Sequence, residues 1–130
     1  MTTSTTTAGQ STKSTVQLYF ERLRTRDDWT PLLAESLLFS SRTSPERDIR
    51  GRDAYVQATR GFYAMIVDFT LRDLVVDGEK ACALTRYRLQ PPSGVEFESD
   101  VAELFTVSDG EIAALAIYFD TAPYPKRAAQ

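Results

Sequence analysis

Histidine is absent from all 130 residues, and cysteine occurs once, as Cys82. The first absence removes the Ser–His and Cys–His nucleophile pairings, the usual zinc sites and the commonest general base. Any proton chemistry must come from Asp, Glu, Tyr, Lys, Arg or Cys. A lone cysteine cannot close an intrachain disulfide, which fits a cytoplasmic setting; Cys82 reads as a small core residue rather than a nucleophile. No run of about 18 apolar residues occurs, so no membrane partner is expected. The opening MTTSTTTAGQST lacks the charged start and apolar stretch of a secretory signal. Basic charge is not in excess: 15 Lys and Arg against 18 Asp and Glu give a net charge of -3 and a pI near 5.0. That argues against a nucleic-acid partner, whose binding needs a basic footprint.

What is present suffices for one domain with a real core, since 42% of the residues are hydrophobic. Residues 1–13 read as a disordered Thr/Ser tail, 14–122 as the domain and 123–130 as a loose end. Ser14–Gln17 matches a capping box, and Val16, Tyr19, Phe20 and Leu23 form an apolar stripe, so a helix is expected over 15–25. Thr30-Pro31 resembles a cap followed by a first-turn proline, with a short helix through Ala34. A short strand follows at 37–40. Residues 41–51 read as a polar loop with Arg42, Pro45, Arg47 and Arg50, able to overhang a cavity mouth. A third helix is expected over 52–65. The rest alternates as strands, with turns at Asp77-Gly78, Pro91–Gly94 and Asp109-Gly110. Helices first and a long meander after is an α+β pattern. The expected architecture is a cone-shaped curved antiparallel sheet wrapped around three N-terminal helices and enclosing a pocket.

Within the meander, Glu103 shares its alternation position with Val101 and Phe105, so an acid points to an apolar face. Pairing across Pro91–Gly94 places Cys82 opposite Glu103, Leu84 opposite Val101 and Arg86 opposite Ser99. Leu84, Phe97, Val101, Phe105, Leu115, Ile117 and Phe119 would then line an apolar pocket for a hydrophobic small molecule. Thr85, Tyr87, Glu96, Glu98 and Asp100 would face outward, on a surface available to a second copy in a homodimer. A slip of one residue would exchange the two faces. Burial raises the pKa of Glu103 and lets it donate a hydrogen bond when neutral; contact with Arg86 would instead keep it ionised. The bland alternative is a buried acid tied to its neighbours for structure alone. Asp120, at the end of a strand, and Asp68, at the start of one, read as structural and solvated.

Three segments carry a resemblance: VQLYFERL at 16–23, RGRDAYVQATRGFYA at 50–64 and ELFTVSDGEI…YFD at 103–120. Together with the order of elements they resemble the nuclear-transport-factor-2-like superfamily, and within it SnoaL-like proteins and ketosteroid isomerases. The resemblance covers about Val16 to Asp120 and is specific for fold rather than chemistry. It implies that Tyr19 matches the first-helix tyrosine that donates to the substrate oxygen, and that Tyr63, within Phe62-Tyr63-Ala64, matches the tyrosine supporting it. Glu103 falls at the place of the late-strand acid that completes the oxyanion hole, one methylene longer. The general-base aspartate of ketosteroid isomerases is replaced by Ser40 or Ser41. Ile117 stands where limonene-epoxide-hydrolase-like and SnoaL-type proteins carry an aspartate. The candidate catalytic set is Glu103, Tyr19 and Tyr63, joined through strand parity by Arg86 as either an oxyanion clamp or the tuner of Glu103, with no cofactor and no metal. Two functions follow as expectations. One is a small-molecule enzyme that cyclises, isomerises or dehydrates a polyketide-, terpenoid- or steroid-like compound. The other is a non-catalytic binding or dimerisation module.

Overall fold

Helix α1 (Ser4–Thr25) carries the expected stripe, with Val16, Tyr19, Phe20 and Leu23 all buried. The structure, a computed structural model, describes residues 4–43 and 47–123. The helix begins well before the Ser14 capping box. The reason is that Thr12 and Thr15 extend the buried stripe toward the N-terminus. Thr12 Oγ1 donates to the Gly78 carbonyl at 2.7 Å, which ties this turn to the sheet. From Ser4 onward, the segment expected as a loose tail is therefore continuous with α1. The expected tail at 124–130 lies outside the described residues.

The carboxyl end of α1 is anchored to the sheet by cations. The Arg24 guanidinium stands 4.3 Å from the centre of the Phe69 ring, and Arg26 donates to the Ile66 carbonyl at 2.9 Å. Both also lie where the helix dipole favours positive charge.

The expected second helix is corrected to one 3-10 turn, Thr30–Leu32, so the described residues contain two α-helices rather than three. Pro31 suits a first turn, but Leu33, Leu37 and Phe39 are taken into the core by a strand, β1 (Leu33–Ser41). The expected loop at 41–51 is corrected in part. Arg47–Arg50 form a short strand, β2, antiparallel to β1 with Leu38 opposite Arg50 and Phe39 opposite Ile49. Pro45 and the side chain of Arg47 lie outside the described residues. Helix α2 (Arg52–Met65) follows as expected and runs directly into the sheet. Its leading residue, Gly51, has φ +97°, a conformation in which a Cβ would be strained.

Four further strands complete the fold: β3 (Ile66–Asp77), β4 (Lys80–Leu89), β5 (Phe97–Ser108) and β6 (Glu111–Phe119). The curved, unclosed sheet has the order β2-β1-β6-β5-β4-β3. The expectation of an all-antiparallel sheet fails at one seam, because β1 runs parallel to β6. Asp109 and Gly110, both at positive φ, make the two-residue turn between β5 and β6.

The decisive correction is the register of β4 against β5. Ala83, not Cys82, lies opposite Glu103; Thr85 faces Val101 and Arg86 faces Asp100. Ala81, Ala83, Thr85, Tyr87 and Leu89 are consequently buried against the helices. Cys82, Leu84 and Arg86 turn to the other face. Charge pairing explains the choice: this register puts Arg86 opposite Asp100 and Arg88 opposite Glu98.

Candidate active site

Glu103 is the one acidic side chain buried among the described residues. It projects from β5 to the helix-covered face, between Val101 and Phe105, as their shared parity requires. Thr85 Oγ1 donates to its Oε1 at 2.9 Å, and the Tyr87 hydroxyl donates to its Oε2 at 2.9 Å. Burial pushes its pKa up to about 7, against the smaller lowering effect of the Tyr87 and Thr85 hydrogen bonds.

A second polar group lies on the helix side. The Tyr19 hydroxyl of α1 is 2.7 Å from that of Tyr63, and the Tyr55 hydroxyl is 2.6 Å from the same Tyr63 oxygen. Tyr55 and Tyr63 share α2, two turns apart, so both hydroxyls reach the same point. All three phenols are held well above their usual pKa, first by burial and then by one another and by Glu103. They are donors, not phenolates. Rings fix the arrangement: Tyr19 packs edge-on against Trp29 and Phe105, each at 5.7 Å, and Trp29 lies 4.3 Å from Tyr63. Tyr87 is held by Phe62 at 5.3 Å and Phe69 at 5.8 Å.

The expected site residues divide into two sets. Glu103, Tyr19 and Tyr63 come together. Val101, Phe105 and Leu115 are buried on the same face, and Phe97, Ile117 and Phe119 are packed against that core. Arg86 and Leu84 do not join them. Arg86 pairs with Glu98 at 2.8 Å and more loosely with Asp100 at 3.8 Å on the outer face, so it neither clamps an oxyanion nor tunes Glu103. Leu84 is 44% exposed on that same face. There, an open cleft of about 520 Å³ is bordered by Arg72, Leu84, Asp100, Ala102 and Tyr118 among others. Cys82 faces outward and is half-buried.

Ser40 donates to Asp48 at 2.7 Å on the outer face, whereas Ser41 lies opposite Ile117, which is itself opposite Glu103. The inner face thus has a serine, an isoleucine and a glutamate in one row. Asp120 accepts from the Ala122 amide at 3.0 Å, and Asp68 accepts from the Phe69 amide at 2.8 Å; both are exposed turn or strand-edge groups. No cluster of three or more potential metal ligands occurs among the described residues, and no helix there is long and apolar enough to cross a membrane.

Three residues of the site escape the sequence argument. The expected register puts Thr85 and Tyr87 outside by a slip of one residue; the opposite charges at 86, 88, 98 and 100 are the signal that sets them inside. Tyr55 reads as part of an apolar helical face, and its hydroxyl becomes legible only once Tyr63 is known to be inward.

A profile of the SnoaL-like domain matches residues 16–115. The chain belongs to the SnoaL-like domain family. No curated protein matches this SnoaL-like chain significantly. Its fold recurs in a protein assigned as a SnoaL-like polyketide cyclase from Jannaschia sp. CCS1, with 16% identity, a TM-score of 0.75, and 92% of this chain and 96% of that one covered. A protein assigned as a ketosteroid isomerase from Kribbella flavida DSM 17836 is 20% identical, with a TM-score of 0.71 over 92% of this chain and 85% of that one. An LEH-like epoxide hydrolase from M. tuberculosis is 19% identical, with a TM-score of 0.73 over 88% and 86%. At these identities the SnoaL-like chain shares with them a nuclear-transport-factor-2-like fold.

Proposed function

We propose that this SnoaL-like protein is a cofactor-free enzyme that cyclises, isomerises or dehydrates a hydrophobic oxygenated compound of polyketide, terpenoid or steroid type. The observation that carries this is Glu103, the one buried carboxyl among the described residues, poised near neutrality in the core that also holds a chain of three phenol hydroxyls. A carboxyl whose pKa matches the working pH is suited to move a proton in both directions. A phenol whose oxygen already accepts from another hydroxyl is a better donor to a developing negative charge. Glu103 is thus the acid/base, Tyr19 the donor to the substrate oxygen, and Tyr63 and Tyr55 position Tyr19. Val101, Phe105, Leu115, Phe97, Ile117 and Phe119 give the apolar surroundings. Relatives of this fold assigned as a polyketide cyclase and a ketosteroid isomerase support the reaction class.

The test is a thermal-shift screen with polyketide, terpenoid and steroid compounds on the native protein, Glu103→Gln and Tyr19→Phe, followed by product analysis of each hit. Turnover that disappears in Glu103→Gln is expected. Hits that bind in all three proteins and are returned unchanged would overturn catalysis in favour of a binding module.

The same protein is proposed to form a homodimer through the outer sheet face. Leu38, Leu84, Leu104 and Tyr118 are 48%, 44%, 41% and 48% exposed there. Pairing of Leu84 with Ala102, of Ala102 with Tyr118 and of Leu104 with Ala116 makes them one apolar band. The row of Arg86, Arg88, Glu96 and Glu98 borders it, with charges of both signs as a self-complementary contact requires.

A further inference from the structure

We infer that the cleft between the 3-10 turn Thr30–Leu32 and helix α2 is a binding site for a diphosphate group, held by Arg52 and Arg60. This site is separate from Glu103 and the tyrosine chain and stands whatever reaction they perform.

The cleft has a volume of about 340 Å³ and is lined by Thr30, Arg52, Asp53, Val56, Gln57 and Arg60. Helical spacing accounts for the set. Arg52, Val56 and Arg60 recur every four residues, with Asp53 and Gln57 beside them, so one flank of α2 faces the turn. Val56 is packed against the core and makes the floor. The opposite wall is fixed by contacts outside the cleft. Trp29 lies against Tyr63 of α2 at 4.3 Å. Thr30 donates to Asp28 Oδ1 through its amide at 3.0 Å and its hydroxyl at 2.7 Å.

The lining carries two cations against one carboxylate. Arg60 has no ion-pair partner among the described residues. Arg52 meets Asp53 only at 3.6 Å, longer than a hydrogen bond, and the Asp53 side chain is 98% exposed, so this pair is readily exchanged for a ligand. The Arg52 side chain is 32% exposed, which limits the freedom it must give up on binding. Asp28, the acid on the turn side, is already occupied by Thr30.

Excess positive charge in a concave site selects an anion. The two arginines stand eight residues apart, about 12 Å of helix. Helical side chains lean toward the N-terminus, so Arg60 extends back over Gln57 in the direction of Arg52. A guanidinium fork takes one phosphoryl group through two parallel hydrogen bonds. Two forks set along one helix flank match two linked phosphoryl groups better than a single one, with the Gln57 amide as a third donor between them. Inorganic pyrophosphate and the diphosphate of an ester present this same group.

Isothermal titration of the full chain at low ionic strength with inorganic pyrophosphate, ADP and isopentenyl diphosphate tests the site. The fluorescence of Trp29, the one tryptophan of the chain and the neighbour of Thr30, locates it. Saturable one-to-one binding with a change in Trp29 emission is expected. Tighter binding of ADP than of pyrophosphate would assign a nucleotide, tighter binding of isopentenyl diphosphate an alkyl ester, and no gain from either the free ion. Arg60→Gln and Arg52→Gln should each weaken binding by about tenfold or more. Arg60→Lys, which keeps the charge and loses the fork, should recover only part of that. Arg88→Gln removes the same charge from the outer sheet face and should bind as the native protein does. Equal weakening in Arg60→Gln and Arg88→Gln would reduce the effect to diffuse surface attraction and overturn the site, as would a failure to saturate at millimolar pyrophosphate. Citrate binding as tightly as pyrophosphate would overturn the diphosphate class.

Discussion

Tyr87 reaches Glu103 although the two do not face one another across the sheet. Tyr87 pairs with Ser99, and the residue opposite Glu103 is Ala83. The glutamate side chain lies along β4, bonding first to Thr85 and then to Tyr87, each at 2.9 Å. The path depends on its length. Glu103→Asp is expected to keep the Thr85 bond and lose that of Tyr87, leaving a buried hydroxyl without a partner. The cost should be about 1–3 kcal/mol, read by urea unfolding. Unchanged stability would show that the Tyr87 bond contributes nothing.

Stability should depend on pH through the same group. The folded pKa of about 7 lies above the ordinary value of 4.5, so folding favours the protonated form. That contribution is fully present below pH 4.5 and fades as pH rises toward 7, where the folded protein must also ionise Glu103. The loss should approach about 3 kcal/mol. Glu103→Gln has no proton to lose, so its melting temperature should match that of the native protein in acid and exceed it at pH 8. Parallel curves for the two proteins would rule out a raised pKa.

In the tyrosine chain, Tyr63 is the middle member. Tyr63→Phe leaves two buried hydroxyls, on Tyr19 and Tyr55, without their shared partner. Tyr19→Phe or Tyr55→Phe leaves Tyr63 one remaining bond. Denaturant unfolding should rank Tyr63→Phe as the most destabilising of the three, by about 1–3 kcal/mol. Equal effects at all three positions would contradict a chain with a centre.

Arg86→Ala should leave the Glu103 titration and any turnover unaltered, because Arg86 belongs to the outer face. Its ion pairs are half-exposed, so stability should change by about 1 kcal/mol or less. A shifted Glu103 midpoint in that variant would mean that Arg86 acts across the sheet.

For the proposed dimer, Leu104→Lys places a charge in the apolar band while leaving the core side of β5 untouched. Sedimentation velocity should find the native protein dimeric at micromolar concentration and the variant monomeric. A native monomer would remove the dimer proposal.

Much of this is legible in the sequence. The stripe at Val16, Tyr19, Phe20 and Leu23 announces α1, and Asp109-Gly110 announces the β5–β6 hairpin; the bulge at Ala113, which sets Glu103 opposite Ile117 rather than Ala116, has no such local signal. Elsewhere the local signals are ambiguous. Thr30-Pro31 starts a helical turn as readily as it starts a helix, and only burial of Leu33, Leu37 and Phe39 in the sheet decides the outcome. Residues 90–96 form a longer connection, in which turn chemistry does not specify register. There the fold is chosen by what the strands gain, namely ion pairs outside and alanines inside. Because strand parity is two, that single step moved Arg86 out and Tyr87 in. The parallel seam between β1 and β6 joins segments distant in sequence and leaves no local mark in either.

That seam also orders events during synthesis. β1 pairs with residues 112–117, so it remains an open edge, with only the short β2 beside it, until almost the whole domain has been made. The β3–β6 meander can form from neighbouring hairpins, but Phe39 and Ser41 must wait for the last strand. A nascent chain stalled before residue 112 would therefore expose an apolar strand with unpaired backbone groups, the kind of surface on which chaperones and aggregation compete.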